Sequence, residues 1–448
     1  MGKTFAVAKS MSDFAQNCRK LLRSQIAPYL FGFIRGHSYL TAAQIERLEG
    51  FLSAPCDPAV VASYEARMSA LIGPGFGVSF AAGRMAFYSL LKALDVSEGD
   101  EVILPGFTCS VMANAVWRSG ATPVFADISA QTFGSSPEAI ETRITPRTRV
   151  IVAQHSFGIP CKIEDIMATA RKRGLFVVED CAITFDSSVR GTKVGNWGDA
   201  ALFSTDHTKP LNSLIGGFLY TVNKDIYSKI RELSENLPEL DRKHQQRIFD
   251  QFMFERQYYQ PDRYPRGTLV KKINSLKTKL PLSGPTFAFL EADYSRDTSK
   301  GPYPYPARMP AFLAQLALFE LVRWPEERVK RRNMLNAYLQ VARDSRIAAQ
   351  VPQVYSDPSL EIVPLRFVYA DPDRPRQFKK MSKLIDIDYT WFKSPVICCK
   401  KGLEDIGYLN GTCKVSEDVS KQIINWPCAV EEGWESDLLN FFGKISKT

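Results

Sequence analysis

The chain lacks a long hydrophobic run near its start. The N-terminal residues MGKTFAVAKSMSDF hold no apolar core of secretory-signal length. The run from Ile26 to Ile34 is interrupted by Pro28 and is too short to span a bilayer, so no membrane insertion is expected. Cysteines at metal-binding spacing are missing too. The nine cysteines stand singly except for Cys398-Cys399, with no CxxC pair and no Cys/His cluster to suggest zinc. An odd count without a secretion signal leads us to expect reduced thiols, a cytoplasmic location and no metal. Also absent is a basic stripe interleaved with aromatics. The formal net charge is +9, but its carriers are spread, with small clusters at Lys271-Lys272, Arg328 to Arg332 and Lys400-Lys401. Nucleic acid is therefore not an expected partner. A mild positive field suits an anionic small molecule, and equally a generic solvated surface.

What is present is an ordinary globular composition, 45% hydrophobic and 23% charged over 448 residues. That is enough for a sizeable core and long enough for two to three domains. Residues 1–75 read as a helical segment. Within it, Ala15 to Ile26 mixes apolar and basic positions, which fits either a packing or dimer arm or a membrane-surface helix. Thr41-x-x-Gln44 is a capping box opening a helix to Leu52, and a second helix runs from Pro58 to Ile72 before Gly73-Pro74-Gly75.

Residues 76–222 alternate strand and helix in the manner of a doubly wound sheet. Phe107, Thr108, Asp127, His155, Asp180 and Ser204 fall at the carboxyl ends of the strands, where such sheets bind ligands. Residues 223–300 (FDQFMFERQYYQPDRYPRG is typical) have no clean period and read as an inserted helical segment or lid. Residues 301–448 open with a long helix, Ala311 to Ala342, for which Trp324-Pro325 predicts a kink. A smaller C-terminal α+β domain completes them. The expected class is α/β: a mostly parallel mixed sheet in a large domain, with a smaller one appended.

Reactive residue types concentrate in VVEDCAITFDSSVRGTKVGNWGDAALFSTDHTKPLNSLIGG, from Val177 to Gly217. One apolar run delivers Asp180 at its end; the next delivers Ser204, with Lys209 five residues on. A strand ending in a carboxylate beside one ending in Ser and Lys is a compact way to hold pyridoxal phosphate. That cofactor needs a Lys amine for its Schiff base and an acid for its pyridinium nitrogen. The Gly83-Arg84 turn opens a helix, where backbone N–H groups favour a phosphate. Taken alone, an Asp and a Lys at this spacing are as easily a strand cap and a solvated amine.

The wider pattern is more specific. GDEVILPGFTCSVMANAVWRSGATPVFADI, ITPRTRVIVAQHSFGIPCKIEDIMATARKRGLFVVEDCA and GDAALFSTDHTKPL, with YPYPARMPAFLAQLALFELVRW and faintly KQIINWPC, resemble the DegT/StrS-type sugar aminotransferases. That resemblance implies a fold-type I pyridoxal-phosphate enzyme that works as a homodimer with shared active sites. It implies Lys209 as the Schiff-base residue, Asp180 as the pyridinium partner and His155 as a catalytic histidine near the ring. Gly83, Arg84 and Ser204 fall at phosphate positions, with Ala182 beneath the ring. Cys109 stands where the family has its stacking aromatic. His207, Phe107 and Arg308 are candidate substrate contacts. The expected reaction moves an amino group from glutamate or glutamine to a nucleotide-linked or phosphorylated keto-sugar. The alternative is a related pyridoxal-phosphate reaction on a non-sugar keto compound, or one other than transamination.

Five positions depart from the pattern. Arg84 replaces Thr or Ser, Cys109 an aromatic, and Ile183 a Gln or His. Leu214-Ile215-Gly216-Gly217 replaces Gly-Glu-Gly-Gly, and Pro306 replaces an Asn that the partner subunit usually lends.

Overall fold

The computed structural model describes residues 29–53, 57–277, 293–296, 301 and 303–447. The expected amphipathic segment Ala15 to Ile26 lies outside them. Seven strands form the central sheet: β1 Phe76–Phe80, β2 Glu101–Pro105, β3 Thr122–Ala126, β4 Thr148–Gln154, β5 Phe176–Asp180, β6 Ala200–Ser204 and β7 Gly217–Thr221. Their spatial order is β1-β7-β6-β5-β4-β2-β3. All adjacent pairs are parallel except those made by β7, which runs against both β1 and β6.

Both faces of this sheet are covered, which is why its strands are apolar at successive positions. The period of two sorts their side chains cleanly. Val102, Leu104, Val150, Val152 and Val178 join the core built with the helices Pro58–Ile72, Gly83–Ala93 and Ser110–Ser119. Their neighbours Ile103, Ile151, Ala153 and Val177 join a core on the other face with the helix Ile163–Arg173.

The helix Ala42–Ser53 starts one residue after Thr41. Its capping box is formed: Thr41 N–H donates to Gln44 Oε1 at 2.9 Å and Gln44 N–H returns to Thr41 Oγ1 at 3.3 Å. The 33-residue helix Ala311–Arg343 continues through Pro325 without a break where the sequence predicts a kink. Buried Trp324 donates to Asp186 Oδ2 at 2.9 Å and packs on Phe185, so tertiary contacts hold the turn that Pro325 weakens. The first half of this helix (Phe312, Leu313, Leu316) is buried in the large core. Its second half (Met334, Leu335, Tyr338) is buried in a separate one.

That second core belongs to the smaller α+β region. There Arg366–Ala370 pairs antiparallel with Ile423–Pro427, covered by the helices Arg374–Met381 and Glu435–Ser446. One short strand of this region reaches the segment that follows β2: Val396-Ile397 pairs in parallel with Thr108-Cys109, a two-stranded sheet of its own. Between the two regions the chain forms three helices, Lys224–Glu235, Arg242–Tyr258 and Tyr264–Lys277. Among the described residues, no helix is long and apolar enough to cross a membrane.

Candidate active site

A cavity of about 310 Å³ opens at the carboxyl ends of β4, β5 and β6. Asp180, the last residue of β5, faces it with its side chain buried. Its Oδ1 accepts from Ala182 N–H at 2.9 Å. Burial raises its pKa, opposed by that hydrogen bond and by the positive charge of Lys209. Ser204 ends β6, and the loop after it turns sharply enough to bring Lys209 to the same cavity. That loop is tied by Lys209 N–H to Asp206 O at 2.9 Å and by His207 N–H to Leu214 O at 3.0 Å.

The glycine pair that closes the loop is required by space. A Cβ on Gly216 would lie 2.2 Å from Thr205 Oγ1, and one on Gly217 2.4 Å from the Ala82 carbonyl. This close approach lets the Gly83–Ala93 helix begin at the cavity wall, with Gly83 and Arg84 lining it beside Ser204. The Arg84 guanidinium is 3.2 Å from Oδ2 of Asp293, whose Oδ1 pairs with Arg118 at 3.2 Å. Among the positions departing from the sequence pattern, Arg84, Cys109, Ile183 and Ile215 all line the cavity, as do Ala182 and Gly216. Pro306 follows Tyr305, whose hydroxyl donates to the Arg84 carbonyl at 3.1 Å.

Three other sequence candidates sit elsewhere. His155 is fully buried but does not line the cavity. Its Nδ1 accepts from Cys161 N–H at 3.1 Å and its Nε2 meets Glu179 Oε2 at 3.0 Å, which fixes a neutral tautomer. Glu179 in turn accepts from the backbone N–H groups of Gly195, Trp197 and Gly198, all within 2.8 Å. The His155, Glu179 and Cys181 ligand atoms lie within 4.8 Å of one another, but these commitments make the group an anchor for the 195–198 loop. Phe107 also follows a strand end, yet its ring turns into an aromatic core against Phe392 at 4.6 Å. Arg308 is half exposed and paired with Glu239 at 2.9 Å, away from the cavity. His207 does line it. Burial opposes protonation of His207, but Glu255 at 2.6 Å and nearby Asp206 outweigh that and raise its pKa.

The cavity wall opposite the sheet comes from residues that sequence reasoning did not single out. Trp391 places its ring 4.6 Å from Lys209 Nζ, and Arg366 approaches the same ring at 4.2 Å. Tyr389 beside it accepts from Lys271 Nζ at 2.9 Å. Tyr294 and Cys398 complete this side. The aromatic cluster YTWF was visible in the sequence, but nothing local tied it to Lys209.

The model of the DegT/DnrJ/EryC1/StrS aminotransferase family matches residues 58–252. Over that stretch the chain is similar to this family. A UDP-N-acetyl-3-dehydro-alpha-D-glucosamine 3-aminotransferase of Acidithiobacillus ferrooxidans is 40% identical over 170 residues, 38% of this chain and 46% of that protein. A GDP-perosamine synthase of Escherichia coli O157:H7 is 41% identical over 147 residues, 33% of this chain and 40% of that one. The chain thus spans less than half the length of these curated relatives. The fold match is broader. The crystal structure of an aminotransferase from Psychrobacter cryohalolentis superposes with a TM-score of 0.67 at 18% identity, covering 91% of this chain and 96% of that one. The large sheet, long helix and smaller region described above are thus a fold shared with that structure.

Proposed function

We propose that this protein is a pyridoxal-phosphate-dependent aminotransferase working as a cytoplasmic homodimer. It would move an amino group from glutamate or glutamine to a nucleotide-linked or phosphorylated keto-sugar. The observation that carries this reading is the convergence of the Lys209 amine and the Asp180 carboxyl on one cavity, next to the start of the Gly83–Ala93 helix. The names of the two relatives, both concerned with nucleotide sugars, and the net charge of +9 support an anionic sugar acceptor.

The cavity residues fit the cofactor. Lys209 would carry it, Asp180 would face its ring nitrogen, and Ser204 with the Gly83-Arg84 turn would take its phosphate. Trp391 offers an aromatic face beside the Lys209 amine, the kind of surface Cys109 cannot provide. When bound, the cofactor supplies an electron sink for charge developing on the carbon that bears the amine.

The chain's own groups do the rest. Nζ of Lys209 would take a proton from the donor's α-carbon and return it, as a general base and then a general acid. Burial raises the Asp180 pKa, which favours holding a proton at Oδ and sharing it with a ring nitrogen. His155 acts from behind, through its hold on Glu179 next to Asp180. Trp391, Tyr389 and Phe392 line the same cavity and would limit the access of water to the amine.

The test is the visible absorption of the purified protein with added pyridoxal phosphate, before and after glutamate or glutamine. We expect a bound-cofactor band that Lys209→Ala abolishes and that one of the two donors bleaches. A band indifferent to both donors would overturn the choice of donor. No band at all would overturn the reading.

A further inference from the structure

Two thiols meet at the wall of this cavity. Cys109 follows Thr108 in the short strand that pairs with Val396-Ile397, in register with Ile397. Cys398 is the next residue along the partner strand, diagonal to Cys109. Adjacent strands about 4.8 Å apart with a rise of about 3.3 Å per residue put such a diagonal pair inside the Cα separation of about 4.4–6.8 Å that a disulfide spans. Cys398 adopts φ of 64°, which ends the strand beside Cys109, and the two side chains interact. The junction is pinned independently by the Ser110 hydroxyl, which donates to the Cys398 carbonyl at 3.1 Å. Both side chains line the cavity, and Cys398 is exposed to solvent. Cys399 is turned elsewhere, its thiol donating to the Val396 carbonyl at 3.5 Å.

From this juxtaposition we propose that Cys109 and Cys398 form a redox modification site, a reversible disulfide that closes the cavity against the cofactor. The electrostatics favour Cys109 as the first sulfur to react. Interaction with the Cys398 thiol, against the opposing effect of burial, and the charges of Arg84 and Lys209 bring its pKa down to about 6. Cys109 also caps the start of the Ser110–Ser119 helix, where the dipole favours an anion. With hydrogen peroxide as oxidant, one peroxide oxygen passes to the Cys109 sulfur while the O–O bond breaks. The hydroxide that leaves is protonated to water. The Cys398 sulfur then displaces hydroxyl from the sulfenic acid, and its own proton leaves with that hydroxyl as a second water. Two thiols are oxidised, one peroxide is reduced, and a dithiol reverses the bond by exchange. The bridge would clamp residues 396–398 over the start of the helix and occupy the wall beside Lys209 and Arg84.

The cross-link stands without the proposed function; only its effect on the cofactor rests on it. Cofactor-free protein is treated with hydrogen peroxide and its peptides are mapped by mass spectrometry. We expect a pair of peptides joined through Cys109 and Cys398, released by dithiothreitol, absent in Cys398→Ser and retained in Cys399→Ser. Cross-linking through Cys399, or over-oxidation of Cys109 without any cross-link, would overturn the site. Pyridoxal phosphate is then titrated into the oxidised and the re-reduced protein. We expect binding to be lost on oxidation and recovered with dithiothreitol. Equal binding in both forms would overturn closure of the cavity. A reduced protein that never binds the cofactor, yet cross-links as described, would sink the proposed function and leave the site intact.

Discussion

The two walls of the cavity are built differently. One consists of strand ends and a helix start from the large sheet: Asp180, Ser204, Lys209 and the Gly83-Arg84 turn. The other consists of Trp391, Tyr389, Tyr294 and Cys398, from segments far along the chain. The first wall rests on a buried hydrogen-bond system centred on Glu179. The second hangs on cross-chain contacts, such as Lys271 with Tyr389 and Arg366 with Trp391. The sheet wall therefore carries the reactive groups, and the far wall sets how well they are covered.

Substitutions in the sheet wall are expected to have the largest effects. Lys209→Ala should lower amino transfer by at least about 100- to 10,000-fold, the range of a lost general acid–base, read as product formed per enzyme. Retained turnover would move the chemistry to another group and dissolve the distinction between the walls. Glu179→Ala should cost at least about 1–3 kcal/mol of stability, the cost of a buried donor left unpaired, because His155 and three backbone N–H groups lose one buried acceptor. A urea titration reads this directly. A midpoint close to that of the unchanged protein would mean the anchor is dispensable.

This contrast also explains what the sequence could show. The sheet, the helix starts and the positions of Asp180, Ser204 and Lys209 were legible because apolar runs mark strands, and chain order then marks their ends. A strand end fixes where a residue lies and leaves open which way it turns. His155 and Phe107 both follow strands, yet one ring locks onto Glu179 and the other enters an aromatic core. Trp391 was not legible as a site residue. Its approach to Lys209 depends on the pairing of Val396-Ile397 with Thr108-Cys109, and a two-residue strand has no period to read. The role of Glu255 was hidden in the same way, inside a helix whose sequence shows no clean apolar face.

Trp391→Ala should strip the far wall of its aromatic face. Stacking and cation–π contacts are each worth about 1 kcal/mol, so cofactor affinity should fall about tenfold. Titration of pyridoxal phosphate with absorbance detection measures it. Trp391→Phe should recover most of the loss, since it restores a ring. If Phe fails as badly as Ala, the contribution of Trp391 lies in its contact with Arg366 and the far wall is purely structural.

The smallest effect joins the two walls. His207, on the Lys209 loop, bonds Glu255 of the helix Arg242–Tyr258, and Asp206 adds to the pull that raises its pKa while Lys271 opposes it. A histidine whose folded pKa exceeds the unfolded value of about 6.5 adds stability that is fully present below that pH. The contribution is lost as pH rises through the folded value, because there the folded state still holds a proton the unfolded chain has released. Glu255→Gln keeps the shape but removes the charge, so it should flatten this part of the pH profile as well as lower stability overall. Urea midpoints taken from pH 6 upward separate the two: a constant offset reports the lost hydrogen bond, and a changed slope reports the lost charge. Identical slopes in the two proteins would show that the inserted helices only pack against the Lys209 loop and do not set the charge state of its histidine.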